Sequence, residues 1–254
     1  TVANLSPQGN QYQWFDSATS TVPLISTTPL VSGNYYVKEV NALTGCESSL
    51  KTIMVAINTT PQINNATLNI TPICQGYTAS VNFSGTSNLT DGIYDILYNL
   101  SGSNIATAIP STLNITAGLA NFTIASNLIP NSGNTTIVIT NITNITTNCT
   151  NASTLSKVFT VNALPDVSSM LVTVKDACLG QAVNVDITGL GTLTNITLSY
   201  TVSGVNAISS QTISLTVNAG KTSFSIPASN LLNTGSSILA ITDLTNTGNG
   251  CSAI

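Results

Sequence analysis

The sequence predicts an all-β protein made of tandem β-sandwich repeats in an extended array, and three observations predict it. First, apolar residues alternate with Thr, Ser or Asn in many short stretches, such as 183–187 (VNVDI) and 213–217 (ISLTV). This alternation is typical of half-buried strands. Second, Gly-, Pro- and Asn-rich breaks separate these stretches at intervals of about 8 to 12 residues, as in all-β sandwiches. Third, the cysteines recur with a fixed period.

The cysteine period sets the size of the repeat. Cys46, Cys149 and Cys251 lie 103 and 102 residues apart, and Cys74 and Cys178 lie 104 residues apart. We call Cys74 and Cys178 the early cysteines, because each precedes an alternating stretch. The other three are the late cysteines, and each follows a strand-like stretch and a polar turn. A fixed period of about a hundred residues indicates an array of immunoglobulin-like sandwiches.

The period also predicts the domain boundaries. Residues 1–59 contain a late cysteine without an early one, so they form the C-terminal half of an immunoglobulin-like repeat. Residues 60–163 form a complete repeat, and residues 164–254 form a repeat that lacks its last strand. We refer to these segments as the first, second and third repeats. We expect the chain to be a segment of a longer protein.

The recurrence of both cysteine positions predicts two disulfides, Cys74–Cys149 and Cys178–Cys251, each closing a loop of about 75 residues. Cys46 has no early partner in the sequence and is expected to be unpaired in this segment. The alternative is that all five cysteines are small buried thiols. Because the sequence has no CxxC motif and no His, we expect no metal site at the cysteines.

Composition excludes several functions. The chain has five Lys, nine acidic residues, no Arg and no His, whereas Ser, Thr and Asn make up 100 of its 254 residues. A protein without a basic cluster is a poor ligand for phosphate backbones, so no nucleic-acid partner is expected. A protein without His lacks the usual proton shuttle, and we predict no catalytic residue, cofactor or metal. No apolar run approaches the roughly 18 residues of a membrane span.

Two further features leave alternative functions open. The one concentration of aromatic residues is Trp14 and Phe15 with Tyr35 and Tyr36. We expect these rings to be in a sandwich core, but an exposed cluster would favour the alternative of a carbohydrate-binding or spacer module of a secreted multidomain hydrolase. N-x-Ser/Thr triplets, as at Asn141, leave a third possibility, a segment of an S-layer or eukaryotic glycoprotein.

Several motifs resemble the immunoglobulin-like repeats of large surface proteins of Bacteroidota. The segments 13–18 (QWFDSA), 35–37 (YYV) and 44–48 (TGCES) are similar to the family pattern WYDAATGG…YYV…GCES. The CQG opening at Cys74 resembles the longer repeats of the same proteins, whereas Asn148-Cys149 departs from their Gly-Cys closing. The best-known members are the gliding-motility adhesins of flavobacteria, which are also rich in Thr, Ser and Asn.

The resemblance implies a non-catalytic segment of a large, repetitive cell-surface adhesin filament that acts in surface attachment and gliding motility. It implies export by type IX secretion and a location on the cell surface in association with the outer membrane. The implied partners are the substratum or a surface polysaccharide, together with the gliding and secretion machinery of the envelope. Asp16-Ser17-Ala18 also resembles an O-glycosylation site, which places a candidate glycan on Ser17.

Overall fold

The computed structural model describes residues 1–86 and 89–253, and its regular structure there is almost entirely β. The exceptions are three single-turn 3-10 helices, Val2–Asn4, Ser126–Leu128 and Ala228–Asn230. The predicted all-β fold class is therefore confirmed. The chain divides into two compact units, one of Thr1–Thr60 with Thr147–Cys149 and the other of Pro61–Thr146 with Thr150–Ile254.

The first unit contains one antiparallel sheet of three strands. These are β1 (Tyr12–Phe15), β2 (Gly33–Glu39) and β3 (Lys51–Val55), in that order across the sheet. Its apolar cluster is formed by strand residues that point to one face, together with two residues near the start of the chain: Val2, Leu5, Trp14, Tyr35 and Val37.

The second unit begins with nine strands that all lie within the predicted second repeat. They are β4 (Thr67–Asn69), β5 (Ile73–Cys74), β6 (Ala79–Ser84), β7 (Gly92–Gly102), β8 (Ala106–Ile115), β9 (Ala120–Ile124), β10 (Gly133–Asn144), β11 (Thr150–Ala152) and β12 (Ser156–Asn162). One sheet has the order β4-β6-β9, and the other has the order β5-β12-β10-β7-β8, with β11 also paired to β10. All neighbours are antiparallel except β5 and β12, which are parallel.

Seven more strands lie within the predicted third repeat. They are β13 (Leu171–Val174), β14 (Val183–Thr188), β15 (Asn195–Gly204), β16 (Ile208–Thr216), β17 (Thr222–Ile226), β18 (Ser237–Asn246) and β19 (Cys251–Ala253). Their sheets have the orders β13-β14-β17 and β16-β15-β18-β19. The strands of the third repeat have the same order as the corresponding strands of the second repeat. Counterparts of β5 and β12 are absent among the described residues.

The two repeats agree in detail as well as in strand order. The pairing of β7 with β10 shifts register at Thr140, and the pairing of β15 with β18 shifts at Thr242, which lies 102 residues later. Such a bulge bends the strand in which it occurs and is a specific structural feature of a sheet, not an irregularity without meaning. Its recurrence at the cysteine period shows that the sequence repeat is also a structural repeat.

Each repeat of the second unit has its own hydrophobic core. One cluster consists of buried residues between Ile63 and Val161, and the other of buried residues between Val185 and Leu244. A tilted aromatic pair occupies the same place in both, Tyr98 with Phe122 at 5.3 Å and Tyr200 with Phe224 at 4.9 Å. The compact units do not separate these two repeats, so the division at residues 163 and 164 stays a prediction.

The first half of β18 is uncovered on one side. In the second repeat, β12 pairs with residues 133–138 of β10, and Ile137 is fully buried. No described strand occupies the equivalent place beside β18. As a result, Ile238 is 69% exposed and Leu239, the counterpart of Ile137, is only partly buried.

Candidate functional site

A disulfide between two repeats is the candidate functional site. It joins Cys74 in β5 to Cys251 in β19, with a sequence separation of 177 and a Cα–Cα distance of 5.5 Å. That distance is within the range that disulfides normally have. The bond therefore connects the early cysteine of the second repeat to the late cysteine of the third.

Local pairing places both cysteines at the junction of the two repeats. Cys74 is the register partner of Asn162, the last residue of β12, and the connecting segment to the third repeat follows directly. Cys251 is the register partner of Asn246, the last residue of β18, and is fully buried. The side-chain amide of Asn249, in the turn between β18 and β19, donates a hydrogen bond of 3.4 Å to the carbonyl of Ala163 in that connecting segment.

The structure contradicts the predicted Cys74–Cys149 bridge. Cys74 lies beside the end of β12 that pairs with Gly133, at the start of β10. Thr150, the residue after Cys149, pairs with Thr143 near the end of β10. At about 3.4 Å per residue, the ten residues between these positions on β10 span about 34 Å. A disulfide needs its Cα atoms within about 7 Å, so this pair cannot bond in the folded repeat.

The predicted Cys178–Cys251 bridge is wrong for the same reason. Cys178 shares a groove with Ser237, the first residue of β18, whereas Cys251 pairs with the last. The nine residues between them on β18 span about 31 Å. The period located equivalent cysteines correctly, but it contained no information on which end of a sandwich each one occupies.

Three cysteines have free thiols. Cys46 and Cys178 are exposed, and Cys149 is partly buried. The Cys149 sulfur lies 4.0 Å from the carbonyl oxygen of Asn58, within the first unit. The carbonyl of Cys178 accepts a hydrogen bond of 3.0 Å from the backbone N–H of Gln181.

A buried asparagine clamp fixes one end of each repeat in the second unit. The Asn104 amide donates to the carbonyl of Asn131 and to the hydroxyl of Thr135, both at 2.8 Å, and its oxygen accepts from the Asn131 N–H at 2.9 Å. Asn206 and Asn233, each 102 residues later, form the same reciprocal pair at 2.8 Å in both directions. One clamp holds the turn between β7 and β8 against the loop that precedes β10. The other holds the turn between β15 and β16 against the loop that precedes β18.

Sequence analysis missed the clamps, although a signal was present. The segments 101–104 (SGSN) and 203–206 (SGVN) recur at the same 102-residue spacing. Both glycines have positive φ angles, of 94° at Gly102 and 100° at Gly204. A Cβ at either would lie 2.5 Å from a backbone oxygen, that of Asn134 or of Ser236. Glycine is therefore required at both positions.

The aromatic residues identified in the sequence are mostly core. Trp14, Phe15 and Tyr35 are at most 5% exposed and are buried as predicted, whereas Tyr36 is only partly buried. A sugar-binding platform at these three rings is therefore excluded by their burial. Ser17, the candidate glycosylation residue, is exposed, and its hydroxyl forms a hydrogen bond of 3.1 Å with the Thr19 hydroxyl.

Lys38, Asp166 and Tyr98 are titratable side chains with defined surroundings in the fold. The ammonium of Lys38 is 2.7 Å from Glu47 and 5.2 Å from the centre of the Phe15 ring. Hydrogen bonds from the hydroxyl and the N–H of Ser168 lower the pKa of Asp166 from its ordinary value. Burial raises the pKa of Tyr98 because desolvation disfavours the phenolate.

The described part of the chain contains neither a metal-binding cluster nor a helix that could cross a membrane. No three His, Cys, Asp or Glu residues there are grouped closely enough to hold a metal ion. None of the helices there has the length and apolar character needed to span a membrane.

The solved structures that the chain matches are distant in sequence. The chain matches the FN1–FN3 domains of chicken CNTN1 with a TM-score of 0.41 and 11% identity, covering 86% of this chain and 71% of that one. It matches the Escherichia coli adhesin FdeC with a TM-score of 0.38 and 13% identity, covering 87% and 71%. It also matches trypsin-activated α2-macroglobulin from Escherichia coli with a TM-score of 0.26 and 11% identity, covering 85% of this chain and 17% of that one. Comparison of the sequence with known protein families and with curated proteins gives no match.

Proposed function

We propose that this chain is a non-catalytic, load-bearing segment of a large adhesin filament on a bacterial cell surface, acting in surface attachment and gliding motility. The observation that carries the proposal is the Cys74–Cys251 disulfide, which joins two repeats whose shared strands have the same order. A bond between repeats adds a second covalent connection besides the backbone, so the stretch between Cys74 and Cys251 does not extend when the chain is pulled. Structural disulfides are also typical of proteins outside the cytosol.

The chemistry of the surface supports a role in attachment. With 14 charged residues among 254, most of the exposed polar groups are hydroxyls and amides. These groups form hydrogen bonds with polysaccharides and hydrated surfaces that are individually weak. Repetition along a filament multiplies weak contacts into strong attachment without any single high-affinity site. The proposed partner is therefore the substratum or a surface polysaccharide.

The finer parts of the proposal are supported by the sequence resemblance alone. Gliding motility, type IX secretion and association with the outer membrane follow from the motifs at 13–18, 35–37 and 44–48. We propose the gliding and secretion machinery of the envelope as partners of the whole filament.

Attachment by the purified chain tests the proposal. Beads coated with the chain are expected to adhere to polysaccharide-coated glass, and adhesion is expected to change less than twofold between 20 mM and 500 mM salt, because uncharged contacts are not screened. Beads coated to the same density with a single small soluble protein are the control. Adhesion no better than the control, or turnover of a polysaccharide by the purified chain, would contradict the proposal.

A further inference from the structure

The early and late cysteine positions lie near opposite ends of β10 and of its counterpart β18. Within the third repeat, Cys178 lies beside the start of β18 and Cys251 beside its end. Within the second repeat, Cys74 lies beside the strand partner of the start of β10, and Cys149 precedes the residue that pairs near its end. The two cysteines of one repeat therefore lie too far apart to bond to each other.

The observed disulfide uses one cysteine from each of two repeats and leaves the others available. Cys74 is the early cysteine of its repeat and Cys251 is the late cysteine of the next. Cys178 is the early cysteine of the third repeat, equivalent to the bonded Cys74 at a spacing of 104 residues, yet its thiol is free and exposed. It lies at an open groove of about 360 Å³, so a second thiol can reach it.

We propose that the early cysteine of each repeat bonds to the late cysteine of the following repeat, so that successive disulfides form an overlapping chain along the filament. Cys178 is then one half of such a bond, and its partner is the late cysteine of a further repeat of this type. Cys149 and Cys46 are the late halves of two other bonds of the same kind. The inference rests on the tandem arrangement in the proposed function, and it adds the covalent connection between repeats.

The overlap follows from the positions in sequence. Cys178 lies inside the loop that Cys74 and Cys251 close. The next bond therefore begins before the previous one ends, and every junction between repeats is crossed by a disulfide as well as by the backbone.

Formation of each bond is a two-electron oxidation. Two thiols lose two protons and two electrons, and one S–S bond forms. The oxidant is a second disulfide, which is cleaved and takes up the electrons and protons as two thiols. In the test below the oxidant is oxidised glutathione, which becomes two molecules of reduced glutathione.

An extended chain tests the proposal. A second copy of residues 153–254 is added after Ile254, which continues the repeat in register because Ile254 is equivalent to Ala152 at the 102-residue spacing of Cys149 and Cys251. The added copy carries Leu179→Val and Ala253→Ser, so that its peptides differ in mass. The protein is refolded in a glutathione redox buffer, digested without reduction and analysed by mass spectrometry.

The proposal predicts two disulfides among the seven cysteines of this protein. One is Cys74–Cys251, and the other joins Cys178 of the original chain to the added copy of Cys251. Three thiols then remain free. Five free thiols, or a bond between the two cysteines of the added copy, would overturn the proposal.

A matched variant and a native sample complete the test. In the extended chain, Cys178→Ser is expected to free the thiol of the added Cys251 and to leave Cys74–Cys251 intact, and any other bond to the added Cys251 would count against the proposal. If the added repeat prevents folding, the Cys74–Cys251 disulfide will be missing from the mass spectrum, and this shows that the extended chain is misfolded. The pairing is then determined on the full-length protein isolated from cells without reduction, where a free Cys178 would overturn the inference. None of these measurements depends on adhesion, so failure here is distinguishable from failure of the proposed function.

Discussion

The disulfide between repeats predicts how far the chain extends under force. When the chain is pulled from its two ends, Cys74–Cys251 removes 177 residues from the path that carries the force. An unfolded chain extends by at most about 3.6 Å per residue. The oxidised chain is therefore expected to be about 640 Å shorter at full extension than the reduced chain.

Single-molecule force spectroscopy with handles at both termini measures this difference. Extension is recorded without reductant, then with dithiothreitol, and the Cys74→Ser/Cys251→Ser double variant is the control that should extend fully in both conditions. The pairs predicted from sequence would instead hide 75 and 73 residues, a combined shortening of about 530 Å. A shortening of 530 Å, or none at all, would refute the argument that the bond crosses between repeats.

Three further predictions concern stability and are measured by urea denaturation. Asn104→Ala is expected to destabilise the protein by about 2 kcal/mol, because it leaves buried partners without hydrogen bonds. Asn131→Ala removes only one exposed side-chain hydrogen bond and should cost less than half as much, so equal losses would contradict the clamp. Ala117 has a φ of 50°, which is unfavourable for an L-residue with a Cβ, so Ala117→Gly should stabilise by about 0.5–1 kcal/mol. The same change at Ala125, where φ is −66°, should destabilise, and a shared sign would count against this reasoning. The contribution of the neutral Tyr98 side chain to the free energy of unfolding is complete below its ordinary pKa of 10.0. It is lost as the pH rises through the higher pKa that Tyr98 has in the folded state. Tyr98→Phe should therefore reduce the loss of stability between pH 9 and pH 12, and an unchanged pH profile would contradict the burial argument.

Much of the fold follows from local sequence pattern. Alternation at 79–83 (ASVNF) and 183–187 (VNVDI) predicts strands that point apolar residues to one face, and β6 and β14 cover these segments. Burial of Trp14 and Phe15 also follows from residue type, because removing a large ring from water is strongly favourable.

The cysteine pairing could not be predicted in the same way. Sequence spacing shows that Cys74 and Cys178 are equivalent, but pairing depends on distance in space. In an antiparallel sheet, residues that are far apart in sequence can lie side by side at one end of the sheet. Two cysteines of the same repeat can instead lie at opposite ends, separated by the length of a strand. The clamp residues Asn104 and Asn206 were also missed because their effect depends on burial, and a buried asparagine has the same local sequence as one in an exposed turn.

Cys74–Cys251 has a consequence for proteolysis. A protease that cuts one peptide bond anywhere between these cysteines produces two fragments that the disulfide still holds together. Loss of the outer part of such a protein would then require two events, a cut in the backbone and reduction of the bond. The turns between strands, which are the segments most open to proteases, can therefore be nicked once within this stretch without the chain being severed.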